Sequence, residues 1–409
     1  MRGSFKDRGL EGYSMRDGPS QVFLIPGPVR MSQATLEAMA APAMTARSSE
    51  FRAHMKRLNR GLRHAFGLTP SPENEEHPSA FGEDGYAVLA VSGSGTAAME
   101  MILSNRMSAE DQVLVPTNGK FGERVAQIAE RFGKVERLHH EWDQTLDLEG
   151  IDRILAAGSH TMLVICHNET SSGITQDAAA LAQIAQTHGV EFILDGITSI
   201  GGIPAHLAEW GVGAAAIGAQ KCTAGPSGMA SIAVSEGFVK RCGEGAARSY
   251  YFDLEDAIKK ARDDQTPWTP AINLILGWAV ALEELMEEGL EGRHARCQGL
   301  AQGVRNLMIE AGLELHAPSG SQSNTVTSIK IPEGLGDEWR KDLATVHDVH
   351  VIGGQDHLKG QIFRIGSMGL TTPDEMAEGC HRIISDLHER GIVTKMPEIS
   401  AARFTTHTP

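Results

Sequence analysis

Between about residue 86 and residue 232, short apolar runs alternate with helical patterns, and this alternation restricts the chain more than any other feature. The runs are Tyr86 to Val91, Gln112 to Pro116, Thr161 to Cys166, Val190 to Leu194, Ala214 to Gly218 and Met229 to Val234. Several are apolar at nearly every position, so they read as strands covered on both faces; a strand with one wet face would alternate apolar and polar residues. Between them the pattern predicts helices over Thr96 to Asn105, Gly122 to Phe132 and Asp177 to His188, the last followed by Gly189, a residue suited to a C-cap. Strand, helix and strand in succession build βαβ units, and such units build a mostly parallel sheet between two layers of helix. The fold class is therefore α/β. In sheets of this kind the chemistry sits at the carboxyl ends of strands and in the loops that follow them.

Beyond about residue 285 the pattern changes to helices, the strand-like Thr325 to Ile331 and Gln361 to Ile365, and a long amphipathic helix over Thr372 to Gly391. That predicts a smaller α+β unit. The expected division is an N-terminal extension and arm over 1–30, a large domain over 31–285 and a small C-terminal domain over 286–409. With 409 residues, 41% of them hydrophobic, the chain has enough apolar surface for both cores. The formal charge of −15 is spread along the chain, which argues against a nucleic-acid or anionic-membrane partner. Five scattered cysteines lack the paired spacing of a zinc site or disulfide framework, and no metal is expected. The N-terminal MRGSFKDRGLEGYSMRDGPSQ has no apolar core or small-residue cleavage site, Met15 offers a second start, and no stretch approaches a membrane span, so a cytoplasmic location is expected. The acidic segment Ser71 to Gly85 reads as a solvated loop without assigned function.

Three local signals carry chemistry. The run Tyr86 to Val91 enters Ser92-Gly93-Ser94-Gly95-Thr96, where small residues let backbone approach an anion and a helix start offers free N–H groups and a positive dipole end. Alone, this is equally a plain tight turn; it is neither a Walker loop nor a dinucleotide fingerprint. The run Val190 to Leu194 ends in Asp195, a carboxylate placed to hold a heterocyclic nitrogen protonated, or simply to cap the turn that follows. The small-residue run Ala214 to Gly218 leads through Ala219 and Gln220 to Lys221; a lysine in apolar surroundings loses charge and becomes a nucleophile toward an aldehyde, whereas in an exposed turn it is only a surface charge. Together and in this order, phosphate turn, strand-end acid and strand-end amine match the needs of pyridoxal phosphate.

These residues resemble the class V aminotransferases of fold type I, among them alanine-glyoxylate and serine-pyruvate aminotransferases, with matching motifs from Pro26-Gly27-Pro28 to Phe363-Arg364-Ile365-Gly366. The resemblance implies a mostly parallel seven-stranded sheet in the large domain. It also implies that Ser94, Gly95, Thr96 and Gln220 hold the cofactor phosphate, that Phe121 and Ile197 cover the two ring faces, and that Thr170 lies near the phenolic oxygen. Asp195 then pairs with the ring nitrogen and Lys221 forms the Schiff base. Arg364 grips the substrate carboxylate, with Gly27 beside it, and Thr266 and Thr269 reach the phosphate of a neighbouring subunit in a homodimer with shared sites. A planar guanidinium suits a carboxylate through two parallel hydrogen bonds.

The expected activity is ping-pong transfer of an amino group from a small amino acid of the alanine, serine or aspartate type to glyoxylate, pyruvate or 2-oxoglutarate. Lys221 would be Schiff-base lysine and general base in turn. The alternatives are a 2-aminoethylphosphonate–pyruvate type aminotransferase and a cysteine desulfurase or related lyase. The lyase needs a mobile reactive cysteine, but Cys297 and Cys380 fall in helical patterns and none lies between Val351 and Gly360. A non-catalytic scaffold on the same fold is the reading from another class.

Overall fold

A computed structural model describes residues 21–69, 80–243 and 248–406. The extension before residue 21, with Met15, and residues 71–79 of the acidic segment lie outside the described residues. The main sheet contains β1 (Tyr86–Ser92), β2 (Gln112–Thr117), β3 (Lys134–His139), β4 (Met162–Cys166), β5 (Glu191–Asp195), β6 (Val212–Gly218) and β7 (Met229–Ser235). Their spatial order is β1-β7-β6-β5-β4-β2-β3. Neighbours are parallel except for β7, which runs antiparallel to both β1 and β6.

All six apolar runs are strands of this sheet, and the seventh strand, β3, is one the apolar runs omit. Its sequence KVERLH mixes charged and apolar residues, and it lies at the sheet edge with every side chain exposed or half-buried. An edge strand has one neighbour and needs no continuous apolar run; its charges also discourage pairing with another sheet.

Successive side chains of a strand point to opposite faces, and both faces here are covered. Phe192 and Leu194 of β5 join Phe51, Leu62 and Trp278 on one side, whereas Ile193 joins Leu103, Val125 and Ile232 on the other. Helices Ser49–Ala65 and Ile272–Glu288 pack on the first face, Gly95–Arg106 and Lys120–Ala129 on the second. Each fully buried large side chain contributes about 1.5–3 kcal/mol.

A third core surrounds an antiparallel sheet of β8 (Val326–Lys330), β9 (Ile352–Gly353) and β10 (Ile362–Gly366), with β10 central. Helices Leu290–Glu310 and Pro373–Glu389 cover it, the latter opened by a capping box in which Thr372 and Glu375 satisfy each other's backbone N–H groups. Val22 and Leu24 belong to the same core, and Val22–Phe23 runs parallel to Val349–His350. From there the chain turns back toward the main sheet: the Gly366 N–H donates to Leu24 O (2.7 Å) and the Val29 N–H to Gln220 O (3.0 Å). Pro26 and Gly27 are thereby laid against Lys221. Among the described residues no helix is long and apolar enough to cross a membrane, and no cluster of side chains has the makings of a metal site.

Candidate active site

β1 ends at Ser92 and the helix Gly95–Arg106 starts at once, with Ser94 as its N-cap residue. No side chain caps this helix and its first turn carries no acid, so its N-terminal dipole end remains uncompensated. A Cβ at Gly95 would lie 2.5 Å from Ile197 Cδ1 and would push that side chain aside. Ser94, Gly95 and Thr96 open into a cavity of about 180 Å³ at the carboxyl ends of the parallel strands.

Asp195 closes β5 on the floor of this cavity, almost wholly buried. Its Oδ1 accepts from the Ile197 N–H at 3.0 Å. Burial pushes its carboxyl up to about 7, the Ile197 hydrogen bond opposing. Lys221 enters three residues after β6 and donates from Nζ to Pro26 O at 2.9 Å. Burial pulls this amine down to about 8. Gly27, with φ +97°, packs on the lysine so closely that a Cβ would stand 2.5 Å from Nζ. Beside it, Gln220 carries a buried Oε1 with no hydrogen-bond partner among the described residues.

Phe121 reaches the cavity from the helix Lys120–Ala129, which begins two residues before the expected Gly122. The early start has a long-range cause: the Glu169 carboxylate accepts from the Phe121 and Gly122 N–H groups at 3.0 and 2.9 Å. One turn on, Arg124 lines the same cavity with its guanidinium carbon 4.9 Å from the Phe121 ring centre. Thr170 shares a 2.7 Å hydroxyl hydrogen bond with Thr198, which is also held by the Asn168 amide at 2.9 Å. Arg124, Cys166, Asn168 and Thr198 line the cavity without having been singled out in the sequence. Spacing held a signal for two of them: Arg124 is three residues past Phe121 on a helix, and Thr198 three past Asp195.

Arg364 projects from β10 and is 2% exposed. Nε and Nη2 donate to Gly353 O at 3.1 and 2.6 Å, and Nη1 donates to Thr170 O at 2.8 Å. Three of its five N–H groups are thus committed to carbonyls and, among the described residues, none to a carboxylate. Burial pulls the guanidinium down to about 10, with Glu169 opposing. Of the expected residues, Ser94, Gly95, Thr96, Phe121, Thr170, Asp195, Ile197, Gln220 and Lys221 share the cavity, and Gly27 and Arg364 adjoin it through Lys221 and Thr170. Thr266 and Thr269 do not. They line a separate hollow of about 500 Å³ with Arg47, Arg52 and Lys260, next to exposed Tyr250 and Tyr251, which face Trp268. Cys297 and Cys380 are fully buried within helices, where burial raises their thiol pKa values.

The site fits pyridoxal phosphate on its own terms: an uncapped helix N-terminus for the phosphate, a buried acid for the ring nitrogen, a partly neutral amine for the carbonyl, and beside it an amide whose oxygen has no partner among the described residues. Residues 81–363 match the family model described as Aminotransferase class-V. An uncharacterized aminotransferase of Methanocaldococcus jannaschii is 33% identical over 395 residues, covering 95% of this chain and 98% of that protein. The serine–glyoxylate aminotransferase of Hyphomicrobium methylovorum is 31% identical, covering 85% and 84% of the two chains. Among solved structures, the ureidoglycine–glyoxylate aminotransferase of Bacillus subtilis superposes with a TM-score of 0.81 at 26% identity, covering 95% of this chain and 96% of that one. The chain belongs to the class V aminotransferases, pyridoxal-phosphate-dependent enzymes of fold type I.

Proposed function

We propose that this chain moves an amino group from a small amino acid of the alanine, serine or aspartate type to glyoxylate, pyruvate or 2-oxoglutarate, with Lys221 as catalytic base and Schiff-base lysine. One observation carries the reading: buried Asp195 and half-buried Lys221, both shifted toward their neutral forms, face a single cavity at an uncapped helix N-terminus. The names of the serine–glyoxylate and ureidoglycine–glyoxylate relatives support glyoxylate as acceptor.

Pyridoxal phosphate, when bound, supplies a carbonyl carbon that condenses with amines and a cationic ring that draws electrons from the neighbouring Cα–H bond. The backbone N–H groups of Ser94 to Thr96 and the Gln220 side-chain NH2 would hold the phosphate. Phe121 and Ile197 would cover the ring faces, Thr170 would serve the phenolic oxygen, and Asp195 would keep the ring nitrogen protonated. Arg364 takes the substrate carboxylate on its two uncommitted N–H groups and so fixes the direction of the Cα–H bond, with Gly27 leaving room beside Lys221. Lys221 Nζ, when free, would be the group placed to take the Cα proton of a bound amino acid and to hand it back; its depressed pKa leaves about half of it neutral near pH 8. The donor's 2-oxo acid would leave before the acceptor enters the same site, so the kinetics should be ping-pong.

Thr266 and Thr269, remote from this chain's own cavity, serve the site of a second copy, and the exposed aromatic cluster beside them supports a homodimer. A cytoplasmic setting, with the chain divided at 30 and 285, completes the proposal. The test is Lys221→Ala: the visible absorbance of the lysine-bound cofactor should vanish and transamination should fall at least ~10²-fold. A variant that transaminates at the wild-type rate sinks the assignment. A panel of amino donors, followed through the cofactor spectrum, identifies the substrate.

A further inference from the structure

The contacts around Phe121, Thr170 and Arg364 close into a ring, and a fully buried carboxylate sits at its centre. Glu169 is 0% exposed. Its Oε2 accepts from the Phe121 and Gly122 N–H groups (3.0 and 2.9 Å), and its Oε1 from the Ser171 N–H and hydroxyl (3.0 and 2.5 Å). The Ser171 hydroxyl in turn accepts from the Lys120 N–H at 2.9 Å. The first N–H groups of the helix that presents Phe121 are thus satisfied by the segment 169–171, far away in sequence. The next residue, Thr170, gives its carbonyl to Arg364, and Arg364 holds Gly353 O. Three residues beyond Gly353, the Asp356 carboxylate accepts from Lys120 Nζ at 2.8 Å, returning to the helix where the ring began.

Gly119 supports the same conclusion. Its φ of 171° is extended backbone open to any residue, yet a Cβ there would lie 2.3 Å from Glu169 Cδ and 2.6 Å from Ser171 Oγ. Glycine is needed here for the approach of Glu169 and not for the backbone. Glu169 touches neither the cavity nor any reacting atom, and a carboxylate fully out of water is an expensive way to cap a helix that Ser or Asp could cap locally.

We propose that Glu169 is a positioning residue that fixes the Phe121 ring over the cofactor and couples this placement to the carboxylate grip of Arg364. Its two oxygens each face N–H or O–H donors, so an amide of the same shape satisfies only one side and turns its NH2 against the other. This inference rests on the proposed roles of Phe121 and Arg364.

The test is Glu169→Gln beside Gly119→Ala, which leaves the carboxylate charge but pushes it from the helix. Three measurements are made: amide hydrogen exchange at Phe121 and Gly122 in the cofactor-free chain, visible circular dichroism of the cofactor-loaded enzyme, and kcat and KM for an amino donor. Both variants should lose protection at the two amides and change the sign or size of the visible band. Both should also lower kcat/KM on the order of 10- to 100-fold. Should either folded variant keep wild-type exchange and dichroism, the proposal is overturned; should both lose activity with an unchanged visible band, Glu169 is structural only and the proposal also fails. A wild-type enzyme with no visible band would instead sink the functional reading itself.

Discussion

Lys221 offers the sharpest quantitative test, because only a neutral amine attacks a carbonyl. Burial holds its pKa at about 8 against the ordinary 10.5. At pH 7 about one molecule in ten then carries a neutral amine, against about three in ten thousand for an ordinary lysine, a roughly 300-fold advantage. The perturbation is pH. Cofactor-free chain is mixed with pyridoxal phosphate, quenched with borohydride at intervals, and the peptide containing Lys221 is followed by mass. The capture rate should climb about tenfold per pH unit up to about 8 and then flatten. Arg364 is one of the charges that lower the Lys221 pKa, so Arg364→Gln should move the bend to higher pH. A rate that still rises tenfold between pH 9 and 10, or modification spread over surface lysines, refutes the argument that burial activates this amine.

Asp195→Asn should slow transamination on the order of 10²- to 10³-fold. In the cofactor-free chain it should act the other way on stability. The folded carboxyl titrates at about 7, above its ordinary 3.8, so the charged form is penalised in the fold; the penalty is absent below about pH 4 and complete above about pH 7. Denaturant titration should therefore find the Asn variant more stable at pH 8 by up to about 4 kcal/mol, with the gap gone at pH 4. Gly27→Ala combines a φ of +97° with a Cβ 2.5 Å from Lys221 Nζ. It should lose about 1–3 kcal/mol in a thermal melt and slow borohydride-trapped capture as well. Arg364→Lys keeps charge but not the planar fork, and should raise the KM for the amino donor ~10-fold or more while leaving the visible absorbance in place. Sedimentation should give twice the 43.9 kDa chain mass; a monomer at micromolar concentration would remove the role proposed for Thr266 and Thr269.

How much of this was legible in the sequence depended on whether the cause of each feature was local. The six buried strands announce themselves because each must be apolar on both faces, and Asp195 and Lys221 are readable because they interrupt or follow such runs. β3 is not readable, since an edge strand with charged side chains looks like a loop. The helix carrying Phe121 was placed two residues late because its cap, Glu169, is a long-range one that no local S/T/D pattern reports. Thr266 and Thr269 were named through the resemblance alone, and their separation from Lys221 became visible only in three dimensions.

The signs of the uncompensated groups argue for the ligand more strongly than any single residue does. An uncapped helix N-terminus and a guanidinium bound only to carbonyls are two separate receptors for anions. A carboxyl held near 7 by burial is a receptor for a cation or a donated proton, and an amine held near 8 is a receptor for a carbonyl carbon. Each group is kept in an unfavourable state by the fold, and each is relieved by a partner of opposite character. Pyridoxal phosphate brings an anion, a protonated nitrogen and a carbonyl on one rigid ring, and the amino acid brings the second anion. Because that relief is present only in the folded chain, cofactor at a hundred times its Kd should raise stability by about 2.7 kcal/mol, beyond which the melting temperature should keep rising with the logarithm of cofactor concentration.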